Sequence, residues 1–237
     1  DSEIYDKDLI LKLREADYIL ISIPPKKGED LVIKNFSKFL EISKVKWVTY
    51  LSATSVYGDH KGEWVNENSK TNPTSPNGLA RLKAENSWLS LKKNKNLPVQ
   101  IFRLAGIYSN EKNVLTRLKL GTAKLINKKN HFFSRIHVED IANILFESLF
   151  KFRSGEIYNL ADDKPSSSEE IMLYGAKILN IQNLTKIQVN EIESEMLKNF
   201  YKDSKKVSNK KMKNYFDYSF KFPTYVEGLN YVRDNFI

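Results

Sequence analysis

The sequence predicts an α/β fold built on a doubly wound parallel sheet. Three short apolar runs, 17–25, 45–58 and 99–109, are bounded by Pro or Gly, as buried strands usually are. Between these runs, 29–42 and 78–94 carry apolar residues at helical spacing. This alternation of strand and helix indicates a parallel sheet covered by helices, and right-handed crossovers make such a sheet doubly wound.

The second half of the chain predicts a small, mostly helical part after about residue 109. One helix is expected over 111–127 and one strand over 155–162. The other expected elements are an extended piece with an apolar helix within 132–150, and helices within 166–180, 208–216 and 225–236.

The composition predicts a folded protein that neither spans a membrane nor forms disulfides. A hydrophobic fraction of 41% and an aromatic fraction of 12% are typical of globular chains. No apolar run approaches the roughly 18 to 20 residues that a bilayer requires. The absence of cysteine excludes disulfides and thiolate chemistry. We therefore expect a cytoplasmic protein without a membrane partner.

The net charge of +9 raises the possibility of nucleic-acid binding. Of 38 basic residues only 7 are Arg, which leaves 38 − 7 = 31 Lys. Base recognition favours the Arg fork, and no nucleic-acid recognition motif accompanies the charge. Lysine pairs such as Lys128–Lys129 and Lys205–Lys206 are interpreted as solvated surface. We expect no specific nucleic-acid partner, although a basic surface favours an anionic small substrate.

Several stretches occur in an order that resembles a known family. They are ILISIPP, YLSATSVYGDH, PTSPNGLARLKAE, IFRLAGIYS, RIHVEDIA and GEIYNLADDKP. Together they resemble the extended short-chain dehydrogenase/reductase family, in its NAD-dependent epimerase/dehydratase branch. Within that branch they are most similar to an atypical subgroup called nucleoside-diphosphate-sugar epimerase-like. The resemblance implies a Rossmann-type sheet that binds NAD or NADP, a C-terminal substrate lobe and a small-molecule substrate, for example a nucleotide-sugar.

The resemblance also implies how the chain is divided. Residues 1–109 would be the remainder of the NAD(P)-binding domain, with strand 155–162 returning to it, and 110–237 would mainly form the substrate lobe. The family holds the dinucleotide pyrophosphate on a GxGxxG turn, and this sequence contains no such spacing. We therefore expect that a βαβ unit of about 30 residues or more is missing and that NAD(P) binding is impaired.

The catalytic positions of the family are changed in this sequence. Members use a Ser or Thr, a Tyr that exchanges a proton with the substrate, and a Lys four residues after the Tyr. By resemblance these positions hold Ala53, Asn77 and Arg81. Asn has no titratable proton to transfer, whereas Arg81 can still donate to ribose hydroxyls. We expect an enzyme with non-standard catalytic residues; the alternative is a non-catalytic NAD(P)-binding sensor or scaffold.

Three nearby residues are candidates to replace the missing groups. Ser55 would share a strand face with Ala53. Tyr57 lies at the carboxyl end of a predicted strand, where open α/β sheets bind ligands, but the favoured interpretation is a buried phenol bonded to backbone. His60 has a suitable intrinsic pKa for proton transfer, although a single loop His is commonly just exposed.

Other residues are expected to contact the ligands. The resemblance implies cofactor contacts at Ser22, Pro24, Ser52, Asn77 and Arg81. The residues expected to contact the substrate are Glu67, Arg103, Arg135 and His137. No cluster has metal-ligand spacing, and we expect no metal. Family members also dimerise through helices equivalent to 29–42 and 78–94, so a homodimer is implied.

Some of these substrate residues have alternatives. Arg103 lies inside a predicted strand, where it is either paired structurally or placed for a substrate anion. Arg135 and His137 belong to a segment that in the family helps to hold a diphosphate. The phosphate-binding Arg commonly stands three residues before the Ile of that segment, and Phe133 occupies that place here. Asp140 either orients His137 or is a carboxylate of a helix start.

Overall fold

The computed structural model describes residues 7–237, in which strands and helices alternate. The helices are α1 (Lys7–Glu15), α2 (Leu31–Leu40), α3 (Pro76–Lys95), α4 (Val114–Lys119), α5 (Val138–Phe150), α6 (Ser168–Ile178), α7 (Glu195–Lys202), α8 (Lys210–Phe216) and α9 (Tyr225–Phe236). The strands are β1 (Tyr18–Ile21), β2 (Trp47–Ala53), β3 (Trp64–Val65), β4 (Val99–Leu104), β5 (Gly106–Tyr108), β6 (Lys124–Ile126), β7 (Arg135–His137), β8 (Ile157–Leu160), β9 (Thr185–Ile187) and β10 (Lys206–Val207). Over these residues, no helix combines the length and the apolar character that a bilayer span would need.

The main sheet is parallel and has the order β1-β2-β4-β8. Parallel neighbours require crossover connections, which α2 and α3 provide between the first three of these strands. The predicted α/β, Rossmann-type fold is therefore confirmed. The carboxyl ends of these strands lie at one edge of the sheet, where proteins of this architecture bind ligands.

Both faces of the main sheet are covered. On one face Tyr50 and Ile101 pack with Trp88 of α3, and the Tyr50 and Trp88 rings stack at 6.1 Å. On the other face Phe102 packs with Phe216 of α8, their rings 6.1 Å apart. Ile101 and Phe102 are adjacent in β4, so successive side chains point to opposite faces. The sheet forms the middle layer of the protein.

The second predicted strand is shorter than its apolar run. β2 ends at Ala53, and Thr54–Tyr57 forms a 3-10 turn that closes at Gly58. Gly58 has φ +71°, and a Cβ there would collide with the carbonyl oxygen of Asn72. Only glycine fits that position. The turn places Ser55 outside the strand, so strand alternation does not decide its direction.

In the second half, the helix predicted over 111–127 is shorter than expected. α4 has only six residues, begins at the Asn113 cap and is followed by Gly121 with φ +66°. The chain then extends into β6, which pairs with β9. Two further short parallel pairs, β5 with β7 and β3 with β10, connect the C-terminal half to the edge of the main sheet.

Candidate functional site

Two adjoining clefts lie beyond the carboxyl ends of the sheet. The first, which we call the sheet-end cleft, has a volume of about 670 Å³ and is bordered by Ala53 of β2 and Leu104 of β4. The second, the side cleft, has a volume of about 800 Å³ and lies among α4, α6, β5 and β6. Phe133 and Phe200 line both clefts, with their ring centroids 4.6 Å apart. An aromatic pair therefore stands where the clefts meet.

The first turn of α3 forms part of the sheet-end cleft. Ser75 caps the helix by accepting the backbone N–H of Gly78 at 3.1 Å, and Pro76 takes the first helical position. A Cβ on Gly78 would lie 2.7 Å from the carbonyl oxygen of Ser55. The helix start is thus pressed against the turn after β2. Asn77 is exposed and lines the cleft.

Arg81 lies one turn further along α3 and reaches the end of the sheet. Its Nη1 donates to the carbonyl oxygen of Leu51 and, at 3.4 Å, to the hydroxyl of Tyr50. β1 pairs with β2 only as far as Ile21 opposite Tyr50, which leaves the Leu51 carbonyl without a β1 partner. Arg81 uses only Nη1 in hydrogen bonds with residues 7–237, and the residue lines the sheet-end cleft.

The other expected cofactor residues divide into two groups. Pro24 lines the sheet-end cleft, and the half-buried Ser55 does so as well. Ser52 is 2% exposed, and its Oγ has no hydrogen-bond partner among the described residues. Ser22 is exposed, and neither it nor Ser52 lines a cleft. The structure therefore gathers Pro24, Ser55, Asn77 and Arg81 at one opening.

Tyr57 is fully buried and lines neither cleft. Its hydroxyl donates to Oδ1 of Asn159 at 2.7 Å, and the Arg103 guanidinium lies 4.8 Å from its ring centroid. Burial raises the pKa of the Tyr57 phenol. These contacts are those of a structural phenol, although the acceptor is a side chain of β8.

His60 and Glu67 also contact the protein rather than a cleft. His60 lies in a loop with Nε2 3.1 Å from the carbonyl oxygen of Lys70. Glu67 accepts the backbone N–H of Asn159 at 2.8 Å, on the free side of the edge strand β8. A carboxylate that satisfies a strand edge in this way stabilises the sheet.

Arg103 is paired inside the protein. It is 4% exposed and Glu85 of α3 is 1% exposed. Its Nε donates to Oε1 of Glu85 at 3.0 Å, and its Nη2 donates to Oε2 at 2.7 Å. This two-pronged geometry pairs the two charges, while Nη1 of Arg103 has no hydrogen-bond partner among the described residues. Of the two alternatives for Arg103, the structure has the structural pairing.

Arg135 lines the side cleft, as a substrate-contacting residue should. Its guanidinium lies 3.4 Å from the ring centroid of Phe133, and Nη1 donates to Oγ of Ser166 at 3.0 Å. Phe133, which occupies the position where the family commonly has its phosphate-binding Arg, thus packs against the guanidinium of Arg135.

His137 is fully buried and lines neither cleft. It caps α5 by accepting the backbone N–H of Glu139 on Nδ1 at 3.2 Å, and burial lowers the pKa of its imidazole. Asp140 accepts from the hydroxyl of Tyr218 at 2.9 Å and the backbone N–H of Lys221 at 2.7 Å. Its carboxylate ties the C-terminal segment to the start of α5.

The charges of the side cleft suit an anion. Four cationic side chains and one carboxylate line it: Lys112, Arg117, Lys124, Arg135 and Glu111. Most of the other lining residues are apolar or aromatic, including Tyr108, Met172 and Tyr201. A ligand with a flat or apolar part and a negative charge matches this lining.

Lys205 is a site residue that the sequence prediction missed. It was interpreted as solvated surface, but it is 8% exposed and lines the sheet-end cleft together with Asp203. Its Nζ donates to the carbonyl oxygen of Gly58 at 2.8 Å and lies 3.5 Å from Oδ2 of Asp203. Nothing in the local pattern of this lysine-rich stretch separates Lys205 from Lys202 and Lys210, which are exposed.

No group of three or more His, Cys, Asp or Glu side chains in the described part of the chain could hold a metal ion.

Comparison with known proteins places the chain in a family. Residues 34–161 match the NAD dependent epimerase/dehydratase family. A functionally unknown conserved protein from Silicibacter pomeroyi has 33% sequence identity and a TM-score of 0.87, with 93% of this chain and 78% of that chain covered.

Two more distant structures share the fold. UDP-glucuronic acid 4-epimerase from Bacillus cereus, in complex with NAD, has a TM-score of 0.77 at 18% identity, covering 98% of this chain and 79% of its own. dTDP-glucose 4,6-dehydratase from Bacillus anthracis, in complex with NAD, has a TM-score of 0.72 at 20% identity, covering 95% and 74%. No curated protein matches the chain significantly. By the match over 34–161, the chain belongs to the NAD dependent epimerase/dehydratase family.

Proposed function

We propose that this protein is an NAD(P)-dependent enzyme of the epimerase/dehydratase kind. Its substrate is a nucleotide-sugar or a related small molecule with a polar carbonyl or alcohol group. The observation that carries the proposal is the pair of adjoining clefts at the carboxyl ends of a parallel sheet, in a chain of this family. Such a pair accommodates a cofactor and a substrate side by side.

The residues of the sheet-end cleft fit the ribose and nicotinamide half of the cofactor. Nη2 of Arg81 is a cationic donor without a protein partner in residues 7–237, and Asn77 offers an exposed amide one helical turn earlier. Pro24 and Ser55 also line this cleft. A bound nicotinamide exchanges a hydride with a substrate carbon. Weak NAD(P) binding stays a prediction, because it rests only on the absence of a GxGxxG spacing from the sequence.

The side cleft fits the anionic part of the substrate. Arg135 is held by Phe133 and Ser166, and it is accompanied by Lys112, Arg117 and Lys124. Both distant structural neighbours were solved with NAD, and a second structure of the Bacillus cereus epimerase also contains UDP-glucuronic acid. A diphosphate or a sugar carboxylate would complement these cations.

A non-catalytic NAD(P) sensor or scaffold is the second candidate. The observation that favours it is that Ala53 and Asn77, at the family's catalytic positions, both line the sheet-end cleft and neither can transfer a proton. The two candidates share cofactor binding and differ in turnover.

Calorimetry and a turnover assay separate these functions. NAD⁺, NADH, NADP⁺ and NADPH are titrated into the protein, and UDP-glucuronic acid, UDP-N-acetylglucosamine and dTDP-glucose are then followed by NMR with the cofactor that binds. Binding with turnover supports the enzyme, and binding without turnover supports the sensor. Absence of binding by all four nucleotides contradicts both.

We also propose a homodimer formed through α2 and α3. A shallow groove of about 570 Å³ runs between these helices and is lined by Ile33, Leu82 and Leu91. Leu79 borders it with 54% of its surface exposed. Sedimentation velocity tests the proposal: the wild type is expected as a dimer and Leu79→Lys as a monomer, because a charge in a packed apolar interface is costly. A monomeric wild type contradicts it.

A further inference from the structure

The segment after α7 brings a buried ion pair to the wall of the sheet-end cleft. The side chains of Lys205 and Asp203 are 10% and 11% exposed, and both line the cleft. Lysine is seldom buried to this extent unless it is paired or has a function. Asp203 supplies a loose pair at 3.5 Å, which is longer than a strong charge-assisted hydrogen bond.

The backbone around Lys205 is fixed on both sides. The backbone N–H of Ser204 donates to Oδ1 of Asp59 at 2.8 Å, and that of Lys205 donates to the carbonyl oxygen of Phe132 at 3.0 Å. The next residue begins β10, which pairs with β3. Lys205 is therefore held by a rigid scaffold, as a catalytic group should be.

The Lys205 ammonium is attached to the turn that also carries the other polar groups of the cleft. Its Nζ donates to the carbonyl oxygen of Gly58, whose own N–H donates to the carbonyl oxygen of Ser55 at 3.2 Å. Gly78, next to Asn77, presses against the same Ser55 carbonyl. Lys205, Ser55 and Asn77 thus converge on one short turn at the end of β2.

Two atoms of the pair are left for a ligand. An ammonium has three N–H donors, and Gly58 and Asp203 account for two of those of Lys205. Oδ1 of Asp203 is buried and has no hydrogen-bond partner among residues 7–237. A free donor beside a free acceptor matches a substrate carbon that bears a carbonyl or hydroxyl oxygen.

Burial lowers the pKa of the Lys205 ammonium, and the nearby Asp203 and Asp59 carboxylates partly oppose this. His131 is the other titratable group at this position: burial lowers its pKa, and the positive charges of Lys128 and Lys205 lower it further. A lysine with a lowered pKa transfers protons more readily near neutral pH than a surface lysine.

We propose that Lys205 is the catalytic acid–base residue of this protein and replaces the phenol that position 77 lacks. The inference rests on the proposed NAD(P)-dependent function. In the reductive direction the substrate carbonyl gains a hydride at carbon, for which reduced nicotinamide is the source, and a proton at oxygen from Nζ of Lys205. The carbonyl becomes an alcohol, and the neutral amine takes a proton from solvent. Oxidation reverses these steps.

The kinetic test compares Lys205→Met with Lys210→Met, a matched change at an exposed lysine of α8. Lys205→Met is expected to lower kcat by about 100-fold or more, the usual contribution of a general acid, with cofactor affinity nearly unchanged. Lys205→Arg keeps the charge but cannot transfer the proton, so it should be similarly slow. Wild-type kcat in Lys205→Met or in Lys205→Arg overturns the proposal.

The pH profile adds a readout that a structural lysine would not move. Carbonyl reduction should slow as the pH rises through the pKa of Lys205, because the ammonium is the required form. Asp203→Asn should move this high-pH decrease in rate to lower pH, since removing the Asp203 carboxylate lowers the pKa of Lys205 further. If the reduction rate falls at the same pH in Asp203→Asn as in the wild type, the assignment of Lys205 is contradicted.

A third measurement is independent of turnover. Lysines are ¹³C-methylated, and the signal absent from Lys205→Met is titrated by NMR with and without NADP⁺ or UDP-glucuronic acid. A pKa below that of Lys210, and a signal that shifts when either probe binds, support the inference. An ordinary pKa with no response to a probe that calorimetry shows to bind overturns it. If neither probe binds, the proposed function fails, and an ordinary pKa then also excludes the acid–base role.

Discussion

The sheet-end cleft and the interior behind β2 and β4 contain similar polar residues but use them differently. We call Tyr57, Glu85, Arg103 and Asn159, together with the half-buried Glu67, the buried polar cluster. Its members bond to one another: Arg103 with Glu85, Tyr57 with Asn159, and Asn159 with Glu67. In the cleft, Arg81, Lys205 and Asp203 each retain a polar atom without a partner in the described residues. Nη1 of Arg103 in the cluster also has no hydrogen-bond partner among the described residues, but Arg103 lines neither cleft. The difference teaches that a polar atom without a partner marks the candidate site only where its side chain also lines a cleft.

The largest effect is expected from breaking the buried polar cluster at its ion pair. Glu85→Ala leaves the Arg103 guanidinium buried without its partner, which should lower the free energy of unfolding by about 3–5 kcal/mol. Urea denaturation measures this loss. The exposed pair Lys198–Glu195 gives the control, because Glu195→Ala should leave the urea midpoint unchanged. Unchanged stability in Glu85→Ala would mean that Arg103 finds another partner or is not buried.

Tyr57→Phe tests whether the phenol belongs to the cluster or to the catalytic machinery. The change leaves Oδ1 of Asn159 without its donor, so the free energy of unfolding should fall by about 1–3 kcal/mol while kcat stays near wild type. Denaturation and turnover are measured on the same preparation. If kcat is abolished and stability is unchanged, Tyr57 is the replacement acid and the comparison between cluster and cleft is wrong.

On the cleft side, Arg81→Met should weaken cofactor binding, and it should also lower stability because the Leu51 carbonyl loses its donor. A charge-assisted hydrogen bond to the cofactor contributes about 1.5 kcal/mol or more, so Kd should rise about tenfold. Calorimetry with the nucleotide that binds wild type measures this, and Arg14→Met on the exposed side of α1 is the matched control. Equal Kd values for both variants and wild type would show that Arg81 only caps the end of β2.

The strand and helix rhythm of the first half was visible in the sequence because each element has its own hydrophobic period. The helix expected over 111–127 was predicted too long. The structure has only a six-residue helix there, because Asn113 caps its start and Gly121 follows its end with a positive φ. The predicted strand over 45–58 continued into a 3-10 turn, because an apolar run looks the same in both.

The site was predictable only where a motif has a fixed geometry. Asn77 and Arg81 reach the cleft because the helix start that carries them follows Ser75 and Pro76. Lys205 could not be found in this way: its burial depends on Gly58 and Asp203, and Gly58 lies 147 positions away in the chain. Nor does the sequence show that Arg103 meets Glu85, since the pairing depends on how α3 crosses β4.

The smallest effect is expected for the pH dependence of stability that Asp162 causes. Asp162 is buried, as the polar cluster is, but one of its carboxylate oxygens has no hydrogen-bond partner among the described residues, as in the cleft. It is 1% exposed, its Oδ2 has no partner among the described residues, and burial raises its pKa to about 8 although Arg135 opposes this. Between its unfolded pKa of about 4 and this value, the folded state binds one more proton than the unfolded state. Stability from this group therefore falls as pH rises across that interval and is level above it.

Asp162→Asn removes the titration while keeping the shape of the side chain. Thermal unfolding of both proteins from pH 5 to pH 8 should show the difference in Tm moving steadily in favour of the variant as pH rises. A difference that is constant with pH would mean that the carboxylate is already ionised and satisfied in the folded protein. Asp162 would then belong with the groups whose hydrogen bonds are satisfied, and its Oδ2 would not be an atom left for a ligand.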